Sequence, residues 1–157
     1  MCIRDRAFPA ACSGCGTGIL DANAALSAIL GNTPPPPPPV PTVNETESNN
    51  SRTAANTLTV PSKVLGQISS TTDTDYFKIS LPAGKTLTAN MTLAKSTTDF
   101  DLFVQNSGGT IVARSERAAG QAESVSFRNA GTTTATVYVQ VKYYSGGAGG
   151  YTLNVAW

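Results

Sequence analysis

A run of six consecutive prolines at residues 34–39 divides this chain into two parts of different character. Proline lacks a backbone N–H and holds φ near about −65°, so such a run joins neither a helix nor a central strand. It adopts a polyproline II helix of about 3.1 Å per residue and acts as a semi-rigid spacer. We therefore predict a short first part at residues 1–31, a proline-rich linker at 32–42, and one domain at 43–157.

The part after the prolines alternates apolar and polar residues with the period of two that is typical of β-strands. Turn sequences such as residues 82–84 and 106–109 separate the segments, and no helical period occurs among them. This pattern predicts an all-β domain that forms a two-sheet antiparallel β-sandwich. The predicted strands are residues 60–68, 76–81, 87–93, 100–104, 111–113, 123–127, 137–143 and 151–157.

The first part contains a glycine-rich turn followed by one amphipathic segment. Asp21 can cap a helix that runs to Leu30, which predicts a short N-terminal helix. Cys12 and Cys15 have the C-x-x-C spacing, which suits a redox motif, a metal site or a small local disulfide. The redox interpretation lacks a βαβ context and the metal interpretation lacks a second ligand pair. We favour a Cys12–Cys15 disulfide, or two inert thiols.

Histidine is absent from the whole sequence. Because histidine is the usual general base, Ser/His/Asp and Cys/His catalytic sites are excluded within this chain. Charged residues make up 13% of the chain, the net charge is +1, and no basic cluster occurs. Neither nucleic acid nor a membrane surface is therefore an expected partner. We predict a monomer that carries no catalytic residues of its own.

The start of the chain shows no signal peptide, because the charged residues 1–6 precede no apolar run of adequate length. The apolar residues 19–30 are too few to span a bilayer. We expect the natural reading frame to extend upstream of Met1.

Four stretches of the second part resemble the bacterial pre-peptidase C-terminal domain, a jelly-roll-like β-sandwich appended to secreted proteases. They are residues 44–50 (NETESNN), 73–77 (DTDYF), 99–103 (DFDLF) and 143–153 (YYSGGAGGYTL). Residues 12–22 (CSGCGTGILDA) resemble the end of a subtilisin-like catalytic domain, which a linker then joins to the appended domain.

The resemblance implies that the chain is the non-catalytic C-terminal part of a secreted, extracellular subtilisin-like serine protease. The catalytic domain, with its Asp, His and Ser, would then be an upstream partner in the same protein. The implied roles are assistance in secretion, folding or substrate positioning, with removal on maturation in many family members. The alternative is a stand-alone, calcium-dependent binding module for collagen-like protein or polysaccharide.

Acidic residues are concentrated at the start of the domain and at its first hairpin. Glu45 and Glu47 face the same way in an extended chain, as do Asp73 and Asp75, and Asn49 adds an amide oxygen. Calcium takes about six to eight oxygen ligands. The related collagen-binding domains of bacterial collagenases are similar in having a calcium site at this segment. We predict a calcium site from these five residues; the alternative is that they cap turns and solvate an edge strand.

Two further sets of residues are candidates for a function. Tyr143 and Tyr144 stand beside the glycine-rich residues 145–150 and predict a flat ligand-binding platform, although alternating positions in a sandwich commonly belong to the core. Asp99 and Asp101 begin a predicted strand. We expect Asp101 to accept hydrogen bonds from backbone donors of an adjacent loop.

Overall fold

The computed structural model describes residues 36–157. The predicted N-terminal helix, the Cys12–Cys15 pair and the subtilisin-like stretch at residues 12–22 lie outside the described residues. The compact unit that contains the second part spans Pro39–Trp157. Across residues 36–157, no helix is long and apolar enough to cross a membrane.

Within residues 36–157, ten β-strands form two five-stranded sheets, which confirms the predicted all-β sandwich. The strand order is β1-β3-β10-β5-β8 in one sheet and β2-β4-β9-β6-β7 in the other. The strands are β1 (Thr42–Asn44), β2 (Asn56–Thr57), β3 (Ser62–Ile68), β4 (Thr74–Leu81), β5 (Thr86–Leu93), β6 (Asp99–Asn106), β7 (Ile111–Ser115), β8 (Glu123–Arg128), β9 (Ala135–Ser145) and β10 (Gly149–Ala156).

The eight predicted strands correspond to β3–β10, whereas the short strands β1 and β2 were not predicted. Both sheets are mixed rather than purely antiparallel, because β1 pairs parallel to β3 and β2 pairs parallel to β4. A parallel pair needs a crossover connection. Here β2 lies between β1 and β3 in the chain, and β3 lies between β2 and β4, so a strand of the opposite sheet provides each crossover.

The core lies between the two sheets and is filled by alternate residues of the strands. Val64, Phe77, Leu102, Val139 and Leu153 are all fully buried there. Burying a side chain of this size stabilises the fold by about 1.5–3 kcal/mol. The period-two pattern therefore fixes which face of each strand points inward, and this decides where the polar residues of the same strands can lie.

Candidate metal centre

A fully buried carboxylate lies at one end of the core. Asp75 follows the same alternation as Phe77 and Ile79 on β4, so the pattern that buries those apolar side chains buries Asp75 as well. Tyr151 of β10 donates its hydroxyl proton to Asp75 Oδ2 at 2.5 Å. Asp75 Oδ1 is buried without any hydrogen-bond partner. A buried carboxylate is costly unless it is paired, so this position calls for a proton or a cation.

Glu45, the first residue after β1, contacts the same tyrosine. Its backbone N–H extends the β1–β3 pairing by donating to Leu65 O at 3.0 Å. Its Oε1 accepts a hydrogen bond from the Gln67 N–H at 2.5 Å, and its Oε2 lies 2.9 Å from the Tyr151 hydroxyl. A phenol has one proton to donate. The Tyr151 hydroxyl can therefore donate to only one of the two carboxylates at a time. Glu45 and Asp75 together need a further proton or a cation.

Gly66 makes this arrangement sterically possible. It pairs with Tyr151 between β3 and β10, and Tyr151 and Glu45 both pack against its Cα. A Cβ at this position would overlap the Tyr151 ring and would lie 2.7 Å from Glu45 Oε2. A glycine inside a strand often marks such a close approach.

Glu47 completes a group of three carboxylates. One oxygen from each of Glu45, Glu47 and Asp75 lies within 4.8 Å of the others. The structure thus brings together three of the five predicted metal ligands, although Glu45 and Glu47 come from the segment after β1 and Asp75 comes from β4 of the other sheet. At these distances the negative charges repel one another strongly unless a proton or a cation intervenes.

Asn49 and Asn56 hold the leading segment (residues 44–56) in place. The Asn56 side chain accepts from the Thr46 N–H at 2.8 Å and donates to Thr46 O at 2.9 Å. Asn49 is fully buried, and its backbone N–H donates to Glu47 Oε2 at 3.1 Å. Asn49 Oδ1 is a second buried oxygen without a partner. Asn49, the fourth predicted ligand, is therefore held in the segment that carries Glu45 and Glu47, and its side-chain oxygen has no hydrogen-bond partner.

Asp73, the fifth predicted ligand, has a different role. Its Oδ2 accepts hydrogen bonds from the Ser69 N–H at 2.6 Å and from the Ser69 hydroxyl at 2.7 Å. The Asn50 side-chain amide, in the orientation that its hydrogen-bond partners require, donates from its NH2 group to Asp73 Oδ1 at 2.8 Å. Both oxygens of Asp73 are thus occupied in closing the β3–β4 turn, and Asp73 lies outside the group of three carboxylates.

Burial controls the ionisation of the centre. The pKa of Asp75 is raised from 3.8 to about 9, chiefly by burial; the Tyr151 hydrogen bond lowers it, and the hydrogen bond and negative charge of Glu45 raise it. The pKa of Tyr151 is also raised, first by burial and then by the charges of Asp75 and Glu45, so the phenol remains a neutral donor. Without a cation, Asp75 holds a proton at neutral pH.

The donor set of this centre suits a hard divalent cation. All the available ligand atoms are carboxylate or amide oxygens, which calcium prefers. One of the carboxylate oxygens, Asp75 Oδ1, is buried and unpaired. A cavity of about 380 Å³ lies beside Glu45 and Glu47 and leaves room for water ligands. Its lining residues are Glu45, Glu47, Asn50, Gln67, Ser69, Ser70 and Asp73.

The structure separates the two tyrosines of the predicted platform. Tyr143 is half-buried and packs on the core, with its ring centroid 6.3 Å from that of Phe100. Tyr144 lies on the opposite face of β9 and is 68% exposed. The two rings therefore form no common flat surface, and a ligand-binding role remains a prediction that only Tyr144 is placed to serve.

Comparison with known proteins identifies the family. The family model described as "Bacterial pre-peptidase C-terminal domain" matches residues 73–156, which is more than half of the chain. The match includes Asp75 and Tyr151 but not the leading segment. No curated protein matches the chain.

Two solved structures share the fold. The chain is similar to the pre-peptidase C-terminal domain of collagenase from Bacillus anthracis, with 16% identity, a TM-score of 0.54, and coverage of 64% of this chain and 93% of that one. It is also similar to the Yersinia pseudotuberculosis-derived mitogen, with 14% identity, a TM-score of 0.51, and coverage of 60% and 83%. At these identities the likeness concerns the fold alone.

Proposed function

The chain belongs to the bacterial pre-peptidase C-terminal domain family, and from this premise we propose that its β-sandwich is a non-catalytic accessory domain of a secreted, extracellular protease. We assign that protease to the subtilisin-like serine class because residues 12–22 resemble the end of such a catalytic domain. The proposed roles are assistance in secretion, folding or substrate positioning. The proline-rich linker would join the two domains.

The proposal includes one calcium ion at the group of Glu45, Glu47 and Asp75. The observation that carries it is the single phenolic proton of Tyr151, which faces two carboxylates while Asp75 Oδ1 has no partner at all. A divalent cation would neutralise the group and occupy the unpaired oxygen. Bound there, calcium would tie the leading segment to β4.

Calcium would then act as a signal that the protein has left the cell. An ion that binds only the folded state adds RT ln(1 + [L]/Kd) to the free energy of unfolding, about 2.7 kcal/mol at 100 times Kd. The domain would be less stable where calcium is scarce and would tighten in a calcium-containing medium. This gives a physical basis for a role in secretion or folding.

Thermal unfolding of the wild type and of Glu47→Gln, each with millimolar calcium and with chelator, tests the proposal. We expect calcium to raise the wild-type melting temperature by at least several degrees, since 1 kcal/mol corresponds to about 4–8 °C near this size. Glu47→Gln should lose most of the response. Glu116→Gln, an exposed carboxylate outside the group, is the matched control and should keep it. An unresponsive wild type, or equal responses in all three proteins, contradicts the calcium proposal.

The protease assignment has a separate test in the upstream reading frame. An open frame that encodes a catalytic Asp, His and Ser joined to residues 1–31 would support the accessory role. A frame that begins close to Met1 would favour the alternative, a stand-alone binding module for collagen-like protein or polysaccharide.

A further inference from the structure

A second acidic pocket lies on the outer face of the sheet that contains β6. It has a volume of about 520 Å³ and shares no lining residue with the cavity of the metal centre. Asp99 and Asp101 of β6 line it, residues 116–119 after β7 form one side, and Tyr144 of β9 forms another. Its size suits a side chain and the backbone next to it.

The two aspartates of this pocket have no partners within the described part of the chain. Each is only 8% exposed, yet neither carboxylate accepts a hydrogen bond or lies within 4.0 Å of a cationic nitrogen of residues 36–157. The expectation that Asp101 accepts from backbone donors of a loop is therefore wrong. Glu123 takes that role instead, because it accepts from the Ser115 hydroxyl and, at 2.8 Å, from the Arg117 N–H. Asp99 and Asp101 are left as buried acceptors directed into an open cavity.

A β-bulge brings Tyr144 to the same pocket. Along β6 and β9, Asp99 pairs with Ser145 and Phe100 pairs with Tyr143, so Tyr144 is the extra residue. Bulges commonly redirect a side chain next to a functional site. Here the bulge places an exposed aromatic ring beside two unpartnered carboxylates.

Backbone hydrogen bonds hold the loop at residues 116–121, which forms the side of the pocket across from Tyr144. Gly120 donates to Thr98 O at 2.9 Å, and Gln121 donates to Ala118 O at 3.0 Å. Gly120 has φ of +75°, and a Cβ there would lie 2.6 Å from Ser96 O, so the loop sits directly against the β5–β6 connection. A preorganised wall reduces the entropy lost on binding.

The spacing of the acidic groups argues for an organic cation rather than a metal ion. Among residues 36–157, the only three acidic side chains with ligand atoms within 4.8 Å of one another are Glu45, Glu47 and Asp75. No three carboxylates of the second pocket come that close together, so it offers one ion fewer carboxylate ligands than the metal centre does. A guanidinium is planar, donates from several edges to carboxylates and stacks on aromatic rings.

We propose that this pocket binds an arginine side chain of a protein partner, with the guanidinium held by Asp99 and Asp101 against the ring of Tyr144. This site goes beyond the accessory role proposed above and requires no calcium. The cations nearby do not fill it. Lys142 lies opposite Asp101 in the strand register and Arg117 lines the pocket, but neither pairs with Asp99 or Asp101, and Arg114 pairs with Glu116 at 3.3 Å.

The ionisation of the pocket agrees with this proposal. Burial raises the pKa of Asp101 to about 6, with further contributions from the negative charges of Asp99, Glu116 and Glu123, while Lys142 lowers it. A bound guanidinium favours the charged carboxylate, so binding should strengthen as pH rises from about 5 to 7.5.

Titration of the full chain with the peptide acetyl-Ala-Arg-Ala-amide, followed by backbone amide NMR in the presence of chelator, tests the site. We expect shifts concentrated at residues 99–101, 116–119 and 144. The matched peptide with citrulline in place of arginine has the same shape without the charge, and it should bind about tenfold more weakly or worse. Equal binding of the two peptides, no binding, or shifts confined to other regions overturns the proposal.

Two variants make the test specific. Asp101→Asn and Tyr144→Ala should each weaken binding of the arginine peptide by about fivefold or more. Trp157→Ala removes another exposed aromatic side chain that does not line the pocket and should bind as the wild type does. Tyr144 is exposed, so its variant should fold even if Asp101→Asn does not. Unchanged affinity in Tyr144→Ala would refute the assigned geometry.

Discussion

Gly66→Ala should be among the most damaging conservative substitutions in the domain. The new methyl group would overlap the buried Tyr151 ring and approach Glu45 Oε2 to 2.7 Å. Overpacking of this kind costs about 1–3 kcal/mol. If the ring moves, its hydrogen bonds to Asp75 and Glu45 are weakened, and a bond to a charged group contributes about 1.5–3 kcal/mol. We predict that the free energy of unfolding falls by about 3 kcal/mol or more.

Gly150→Ala provides a matched control. Gly150 lies one residue before Tyr151 on β10 and pairs with Gln67, next to Gly66. A Cβ there would meet Gly66 O at 3.6 Å and Ala94 Cβ at 3.8 Å, which are ordinary contacts. Replacing glycine by alanine where the backbone permits it stabilises a protein by about 0.4–1 kcal/mol.

Urea unfolding followed by circular dichroism separates the two variants. With a slope of about 1–3 kcal/mol per molar urea, a loss of 3 kcal/mol moves the midpoint down by about 1–3 M. Gly150→Ala should unfold at or slightly above the wild-type midpoint. If the two variants share one midpoint, the close approach of Tyr151 and Glu45 to Gly66 does not exist.

Three further predictions concern ionisation, domain independence and catalysis. In chelator, the free energy of unfolding should fall as pH rises from about 4 towards 9, because Asp75 holds its proton more tightly in the folded state than in the unfolded state. Urea unfolding at several pH values should show this slope in the wild type and lose it in Asp75→Asn, and an unchanged slope in the variant would be inconsistent with the assigned cause. Deletion of residues 1–38 should leave the melting temperature nearly unchanged, whereas a drop above about 8 °C would mean that the first part packs on the sandwich. The purified chain should not react with an active-site serine probe; labelling that a serine-protease inhibitor abolishes would disprove the non-catalytic assignment.

Much of the fold could be predicted because its information is local. Period-two alternation marks β3–β10, and the residues that alternate inward, such as Val139 and Leu153, form the core. The strands β1 and β2 contain three and two residues, too few to show a period. Their parallel pairing depends on where the chain crosses between the sheets, and no local pattern carries that information.

The metal centre could be predicted only in part, because a local hydrogen bond occupies one acidic side chain and a tyrosine distant in sequence contacts two others. Glu45, Glu47 and Asp75 come together as expected, but Asp73 is occupied by Ser69, four residues earlier in the chain. Tyr151 was missed as a partner of the carboxylates. Its inward position on an alternating strand could have suggested a buried hydroxyl in need of an acceptor.

Gly66 and Tyr144 show two different limits of pattern analysis. Gly66 was visible as a glycine inside a predicted strand, but the side chain that approaches it comes from β10. Strict alternation places Tyr143 and Tyr144 on opposite faces, and the bulge beside Asp99 then decides where the Tyr144 ring lies. Such a bulge depends on pairing with β6, which the sequence of β9 does not encode alone.

A crystal structure determined in the presence of calcium tests the central claim most directly. We predict one ion, visible by its anomalous signal, bound by oxygens of Glu45, Glu47 and Asp75 at about 2.3–2.6 Å. The leading segment should be well ordered around it. Absence of the ion at millimolar calcium, with the Tyr151 hydroxyl still hydrogen-bonded to both Glu45 and Asp75, would contradict the claim.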